Sequence, residues 1–137
     1  MSNKVSIVLF SGTVDKLMAG AILATGAAAM GKDVSIFLTM WGVMAFRKDD
    51  WKTNARISKD FEDHAPAMMH AMAEKKVPSW LDNLKSAQEI GNVKIVACGM
   101  TMDLFELKLG DLEPIVTDVD GVASFWSQVE DGTALFL

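Results

Sequence analysis

The sequence predicts an α/β fold: a three-layer α/β/α sandwich with about five mostly parallel strands and helices on both faces of the sheet. Two observations support this prediction. First, the chain contains short apolar runs, which are typical of strands buried on both faces. Second, these runs alternate along the chain with longer segments of helical spacing. Strands that alternate with helices form parallel sheets, because each helix returns the chain to the edge where the next strand starts.

The elements follow one another in order, separated by glycine, serine, threonine and asparagine. We expect strands over residues 5–10, 34–38, 93–97, 115–117 and 133–137. We expect helices over residues 13–30, 79–90, 102–107 and 122–129. The stretch from Val43 to Val77 breaks this alternation because it is dense in charged residues. We expect it to be an excursion from the sheet, part loop and part short helix.

The helix boundaries are predicted from capping residues. Thr13 is the expected N-cap of the first helix, and Gly31 ends that helix. Ser79 is the expected N-cap of the second helix, whose apolar residues recur at helical spacing. Asp103 falls in the first turn of the third predicted helix, where a negative charge complements the helix dipole.

Composition limits the class of protein. The chain has 137 residues, half of them apolar, which suits one domain over residues 1–137. Its single cysteine excludes an internal disulfide and no secretory leader opens it, so we expect a cytoplasmic protein. The net charge of −5 and the lack of a basic cluster argue against nucleic-acid binding. The uncharged stretches 17–31 and 34–46 are shorter than the ~20 residues that cross a bilayer, so we expect no membrane span.

Cys98, the single cysteine, is the most informative residue of the chain. It follows the third predicted strand, where its sulfur is expected to face backbone N–H groups and the positive end of a helix dipole. Both favour the thiolate over the thiol, whose ordinary pKa is about 8.5. Ligands also collect at strand ends in α/β sheets. The alternative is that Cys98 is a small buried hydrophobic residue without reactivity.

A single cysteine narrows the chemistry open to it. Disulfide exchange between two thiols of one chain is excluded, and so is an internal thiol that resolves a sulfenic acid. A cysteine hydrolase needs a histidine base beside the sulfur, and the sequence does not place His64 or His70 there. A solitary thiolate accepts a sulfur atom and transfers it without help from a second residue of the chain. Backbone N–H groups stabilise the anionic persulfide that results.

The first strand-to-helix turn is a second candidate region. Ser11-Gly12-Thr13 matches neither of the glycine-rich phosphate-binding motifs, so a tight turn is favoured over a nucleotide site. Lys16 lies in the first turn of the following helix. It either reaches the same sheet edge as Cys98 or is a solvated lysine.

The histidines and methionines favour contact surfaces over metal binding. His64 and His70 are six residues apart, which places them on different sides of a helix, so we expect no metal ion and no cofactor. The neighbouring Met68, Met69 and Met72 belong either to the core or to a subunit interface. The apolar segment 40–46 either walls a pocket beside Cys98 or is buried between subunits.

The run VACGMTMDL at residues 96–104 resembles the DsrE-like family of sulfur-trafficking proteins. Its most specific part is the cysteine followed by alternating methionines and an aspartate. Similar runs elsewhere are FLTMWG, MM, KKVPS, KLGDL and DGVASF at residues 37–42, 68–69, 75–79, 108–112 and 120–125. The resemblance covers nearly the whole chain and points to a branch often labelled peroxiredoxin-like. The peroxiredoxin label lacks support in the residues, since no second thiol is present.

The resemblance implies a flavodoxin-like sandwich, homo-oligomers, and a cysteine that carries persulfide or thiosulfonate sulfur between rhodanese-type donors and small sulfur-carrier proteins. Cys98 matches that carrier cysteine. The sequence therefore predicts a cytoplasmic sulfur carrier or sulfurtransferase. The alternative is a non-catalytic small-molecule-binding or assembly module in which Cys98 is inert. The residues predicted to surround Cys98 in the site are Gly99, Met100, Thr101, Asp103, Thr13, Lys16 and Trp41.

Overall fold

The computed structural model describes residues 3–137 and contains a five-stranded sheet in which neighbouring strands all pair in parallel. The strands are β1 Lys4–Leu9, β2 Asp33–Leu38, β3 Val93–Cys98, β4 Asp118–Asp120 and β5 Thr133–Phe136. Their order across the sheet is β4-β3-β2-β1-β5. The predicted α/β fold is thus confirmed. Strands β2, β3 and β4 follow one another on one side of β1, whereas β5 lies on its other side.

The helices connect these strands in the expected alternation. They are α1 Val14–Ala29, α2 Trp41–Ala45, α3 Ala65–Glu74, α4 Trp80–Ile90, α5 Gly99–Leu104 and α6 Val122–Val129. Short 3₁₀ turns lie at Asp50–Lys52, Lys59–His64 and Leu109–Asp111. The excursion expected over residues 43–77 contains two of these turns and α3, and its first residues form part of α2.

The two faces of the sheet carry different cores. On one face α1 and α4 pack together over Ile7, Leu9 and Ile36, which are fully buried. Small residues of α1 make this close packing possible, because a Cβ on Gly20 would lie only 2.8 Å from a methyl carbon of Leu9. On the other face α6 covers the sheet, and its Phe125 ring lies 5.4 Å from that of Phe37.

Two predicted helix boundaries are confirmed and one capping role is wrong. The Ser79 hydroxyl accepts a hydrogen bond from the Asp82 N–H at 3.1 Å. Gly31 follows α1 with a φ of 78°, a left-handed conformation that glycine adopts without strain. Thr13 occupies the N-cap position of α1, but its hydroxyl caps no helix amide and instead lies 3.0 Å from the Ser11 hydroxyl.

The third predicted helix is displaced by three residues. The helix expected over 102–107 is α5, Gly99–Leu104, and it starts directly after Cys98. Glycine lowers helix stability, so Gly99 was expected to lie in a turn before the helix. In the structure α5 begins at the residue after the last residue of β3. Asp103 consequently lies in the last turn of α5 rather than the first, so the predicted dipole role of Asp103 is wrong.

The fourth predicted strand is also displaced. Residues 115–117 are not a strand, and β4 begins at Asp118. Ile115 and Val116 are buried because they insert into the core from a turn, in which the Val116 N–H donates to the Glu113 carbonyl at 3.0 Å. A short apolar run has the same composition in a buried turn as in a buried strand, which explains the error.

Candidate functional site

The carboxyl ends of the three central strands lie side by side at one edge of the sheet. In the strand register Leu9 of β1 pairs with Leu38 of β2, and Leu38 pairs with Ala97 of β3. The next residue along each strand is therefore level with its neighbours, which brings Thr39 beside Cys98. Adjacent strands lie about 4.8 Å apart, so Cys98 is about 10 Å from the end of β1.

Cys98 lies at the junction of β3 and α5, where it is the N-cap residue of the helix, and its thiol is partly exposed. Partial burial raises the pKa of the Cys98 thiol, but hydrogen bonds to the sulfur outweigh this effect. The N–H and the hydroxyl of Thr101 lower the pKa of the sulfur most, followed by the Thr39 hydroxyl and the Met100 N–H. The pKa of Cys98 therefore lies below its ordinary value, and the thiolate is favoured.

Thr101 connects the Cys98 site to the neighbouring strand. Its side chain is 2% exposed, and its hydroxyl oxygen accepts a hydrogen bond from the Met40 N–H at 3.0 Å. Met40 has a φ of 50°, an uncommon conformation for a residue with a side chain, so this bond fixes a strained turn. The Thr101 hydroxyl also lies 3.3 Å from that of Thr39. The same residue thus holds the turn before α2 and stabilises the thiolate.

The other residues that follow Cys98 differ in their placement. Gly99 is partly buried in the first turn of α5. Met100 contributes its N–H to the sulfur while 82% of its surface is exposed. Asp103 is exposed in the last turn of α5. The N–H groups expected to stabilise the Cys98 thiolate are those of Gly99 to Asp103; among them, those of Met100 and Thr101 lower its pKa.

A cleft of about 710 Å³ lies beside the end of β1. Two predicted site residues, Thr13 and Trp41, line it, whereas Lys16 is exposed and not part of its lining. Trp41 also contacts the residue that directly follows α5, since its ring lies 5.7 Å from that of Phe105. Trp41 is therefore shared between the cleft and the end of the helix that follows Cys98.

The cleft exists because the excursion is tied to the start of α1. The Val14 N–H donates to the Arg56 carbonyl at 2.7 Å, and the Asn54 side-chain amide donates to the Gly12 carbonyl at 3.0 Å. Ser58 adds its N–H and hydroxyl, which donate to Oδ2 of Asp15 at 3.1 and 2.6 Å. These bonds hold the excursion over the first strand-to-helix turn.

Two glycines allow α2 to close the other side of the cleft. A Cβ on Gly12 would lie 2.5 Å from the Trp41 carbonyl oxygen, and one on Gly42 would lie 2.0 Å from the Leu9 carbonyl oxygen. Both contacts are with backbone atoms, which do not move aside as a flexible side chain does. Only glycine fits at these two positions, because a longer side chain would push α2 away from β1.

The structure distinguishes between the two alternatives for the apolar segment 40–46, which were a pocket wall and a segment buried between subunits. Val43 and Phe46 are fully buried in the core of this chain, so these two residues are not available to a second subunit. Trp41 and Met44 line the cleft. Met68 and Met69 are partly buried and pack against the same core.

The histidines lie away from the groups that act on Cys98. His64 ends the second 3₁₀ turn and His70 lies on α3; both are exposed, and Nε2 of His70 is 3.2 Å from a Glu74 carboxylate oxygen. The sulfur has threonine and amide partners, so the cysteine hydrolase interpretation gains no support. Within residues 3–137 no group of three or more His, Cys, Asp or Glu side chains is arranged to hold a metal ion.

Some residues of the site were missed from the sequence. Thr39 directly follows β2, and its position at the end of a predicted strand was a sufficient clue. Arg47, Asn54 and Arg56 line the cleft but belong to the excursion, whose path the sequence does not show. The chain's two arginines fall within ten residues of each other, which was the available clue.

Across residues 3–137 the structure has no helix with both the length and the apolar character that a bilayer crossing requires.

Comparison with known proteins identifies the family. The profile of the DsrE/DsrF/DrsH-like family matches residues 1–62 and 56–136, and the chain belongs to this family. The chain is 37% identical over 155 aligned residues to the uncharacterized protein YrkE of Bacillus subtilis, with 96% of this chain and 94% of the relative covered. It is 27% identical over 143 residues to the sulfur carrier protein DsrE2 of Allochromatium vinosum, with 87% and 84% covered.

A solved structure shows the same fold. The protein of unknown function MTH1491 from Methanobacterium thermoautotrophicum superposes with a TM-score of 0.57 at 15% identity, and 98% of each chain is covered. At this identity the likeness concerns the fold alone.

Proposed function

We propose that this protein is a cytoplasmic sulfur carrier that accepts sulfur at Cys98, as a persulfide or thiosulfonate, and passes it on. The observation that carries the proposal is the setting of the sulfur, which is partly exposed and has a lowered pKa. A sulfur acceptor needs both properties, since the thiolate is the nucleophile and a partner must reach it. The similarity to a relative named as a sulfur carrier protein supports the same role.

The proposed loading step is a sulfur transfer without net oxidation. The Cys98 thiolate attacks the terminal sulfur of a donor persulfide, a bond forms between the two sulfurs, and the donor's S–S bond breaks. The donor leaves as a thiolate, and its terminal sulfur and proton stay on Cys98 as a persulfide. The Thr101 and Met100 N–H groups that favour the Cys98 thiolate lie at the start of α5, where they are suited to favour the anionic persulfide too.

Unloading must involve another molecule. The chain has one cysteine, so the persulfide sulfur leaves only when an external thiolate attacks it. A rhodanese-type protein as donor and a small sulfur-carrier protein as acceptor fit this requirement. We propose that both dock at the edge where Met100 is exposed beside the sulfur.

The proposal includes a homo-oligomer. Trp126 of α6 and Phe136 of β5 are large aromatic side chains that are 65% and 69% exposed. Burying one such aromatic side chain contributes about 1.5–3 kcal/mol, so contact with a second copy is favourable. Light scattering in solution measures the number of copies.

The test is sulfur loading followed by intact mass. The reduced protein is incubated separately with thiosulfate, with polysulfide and with a persulfidated rhodanese, and then weighed by mass spectrometry. We expect a gain of one or more sulfur atoms that dithiothreitol removes. The Cys98→Ser variant should gain none, and Lys16→Ala should load as the wild type does. A gain that persists in Cys98→Ser would refute the proposal.

The same samples test the inert-cysteine alternative. We expect iodoacetamide to modify Cys98 in the folded protein, because the thiol is partly exposed. Modification that occurs only after unfolding would favour the binding-module interpretation instead.

A further inference from the structure

The cleft beside β1 has the size and the position of a small-molecule site. Its volume of about 710 Å³ falls within the range of ~300–1,000 Å³ typical of ligand pockets. It lies outside the carboxyl end of β1. At this point the strand order reverses, because β2 lies on one side of β1 and the last strand, β5, lies on the other. Ligands of open α/β sheets bind in the crevice that such a reversal creates.

Both arginines of the chain line this cleft, and none of its lysines does. Arginine presents a planar fork of donors that matches the two oxygens of a carboxylate, whereas lysine acts as a point charge. Arg47 is held by Asp50, with 2.7 Å between its Nε and a carboxylate oxygen. In the described part of the chain, the guanidinium of Arg56 has no hydrogen-bond or ion-pair partner. One fork is therefore free for a ligand.

The backbone of Arg56 is fixed while its side chain is free. Its carbonyl accepts from the Val14 N–H at 2.7 Å, and its N–H donates to the Asn54 side chain at 3.1 Å. The charge is thus displayed from an ordered backbone, and fewer backbone degrees of freedom are lost when a ligand binds. The Ser11 hydroxyl also lines the cleft and offers a further hydrogen bond, whereas the Thr13 hydroxyl acts on the Asp15 carboxylate.

The lining favours a carboxylate over a phosphate. Phosphate sites at a strand-to-helix turn use the first helix amides, and here the Thr13 N–H donates to the Ser11 hydroxyl while the Val14 N–H donates to Arg56. The Asp50 carboxylate offsets part of the positive charge. One free guanidinium and one hydroxyl suit a group of charge −1.

The remaining wall is apolar. Trp41 is 50% exposed and lines the cleft together with Met44 and Ala45. Aromatic and methionine side chains give adaptable contact surfaces for the hydrocarbon part of a ligand.

We propose that this cleft binds a small organic molecule that carries a carboxylate. The carboxylate lies on Arg56 and the Ser11 hydroxyl, and the body of the molecule packs on Trp41 and Met44. The proposal does not depend on Cys98, because Cys98 is not part of the lining.

The test is an NMR titration of the full-length protein with S-methylglutathione, an inert probe that has two carboxylates and a thioether and cannot exchange sulfur with Cys98. We expect saturable shifts of the Trp41 indole N–H and the Arg56 Nε–H, with weaker binding at higher salt. Arg56→Ala should weaken binding about tenfold or more, and Arg56→Lys should only partly restore it. Lys85→Ala, which removes an exposed charge on α4, should bind as the wild type does.

Two comparison ligands sharpen the result. The diethyl ester of the probe lacks free carboxylates and should bind about tenfold more weakly or not at all. Adenosine monophosphate supplies a phosphate, and tighter binding of this ligand than of the probe would overturn the assignment to carboxylates. Shifts that are absent, or that persist in Arg56→Ala, would overturn the proposal. Unchanged binding by Cys98→Ser would support the independence of the cleft from the sulfur site.

Discussion

Two strand-to-helix turns at the same sheet edge use their backbone N–H donors in different ways. At the end of β1, the chain's own groups occupy the first amides of α1: Ser11 accepts from the Thr13 N–H and Arg56 from the Val14 N–H. At the end of β3, the amides of Met100 and Thr101 point at the Cys98 sulfur. The two turns share a sheet, an edge and a direction.

The amides at a helix start favour a thiolate where they are left free to act on the sulfur. At the first turn the donors serve structure, because they hold the excursion that forms the cleft. At the second turn they act on a sulfur that is partly exposed to solvent. The difference between the two turns lies in which atoms accept hydrogen bonds from the first amides. The helix dipole does not explain it, because α5, which follows Cys98, has only six residues while α1 has sixteen.

The largest effect is expected from Thr101→Val, which removes a donor from the sulfur. A hydrogen bond to a charged group contributes about 1.5–3 kcal/mol, so the pKa of Cys98 should rise by about one unit or more. The Met40 N–H also loses its buried acceptor, and the free energy of unfolding should fall by about 1–3 kcal/mol. Thiolate absorbance against pH and urea unfolding measure the two changes.

Thr101→Ser is the matched control, because it keeps the hydroxyl and should preserve both values within error. An unchanged pKa of Cys98 in Thr101→Val would show that the Thr101 hydroxyl does not set it, which leaves the backbone amides and the Thr39 hydroxyl.

A smaller effect is expected from Asp15→Asn, which acts on the first turn. Burial raises the pKa of Asp15, but hydrogen bonds from Ser58 and Thr13 and from the Lys16 N–H lower it more, so the pKa lies below its ordinary value. Its contribution to stability is therefore present above the unfolded pKa of about 3.9 and is lost as the pH falls through the folded pKa. The variant should be about 1 kcal/mol less stable at neutral pH.

Urea unfolding between acid and neutral pH tests this sign. The difference between wild type and Asp15→Asn should shrink as the pH falls below about 4. Asp60→Asn removes an exposed carboxylate from the second 3₁₀ turn and should stay within about 0.5 kcal/mol of the wild type. A difference that is the same at every pH would contradict the role of the Asp15 charge.

The smallest effect is expected when a thiol is moved to the first turn. Ser11→Cys in a Cys98→Ser background should have a pKa above that of Cys98, because the Thr13 amide acts on it but the Val14 amide stays bonded to Arg56 and the Asp15 carboxylate is close in sequence. It should take up little sulfur from polysulfide. Thiolate absorbance measures the pKa, and a value as low as that of Cys98 would break the comparison.

The predictions from sequence were most accurate where they rested on single positions. The Ser79 cap and the Gly31 helix end were correct because the chemistry of a cap is contained within a few residues. Cys98 at the end of a strand was predicted for the same reason. The errors at residues 99–107 and 115–117 arose where a glycine or an apolar run is compatible with two local structures.

The sequence by itself determined the alternation of strands and helices, the parallel sheet and the single sulfur at its edge, because these depend on periodicity and composition. Only the tertiary structure decided the strand order, the partners of that sulfur and the existence of the cleft. Thr39 and Thr101 meet across 62 positions and Asn54 and Gly12 across 42. Such contacts depend on which strands become neighbours and in what register, and local sequence leaves both open.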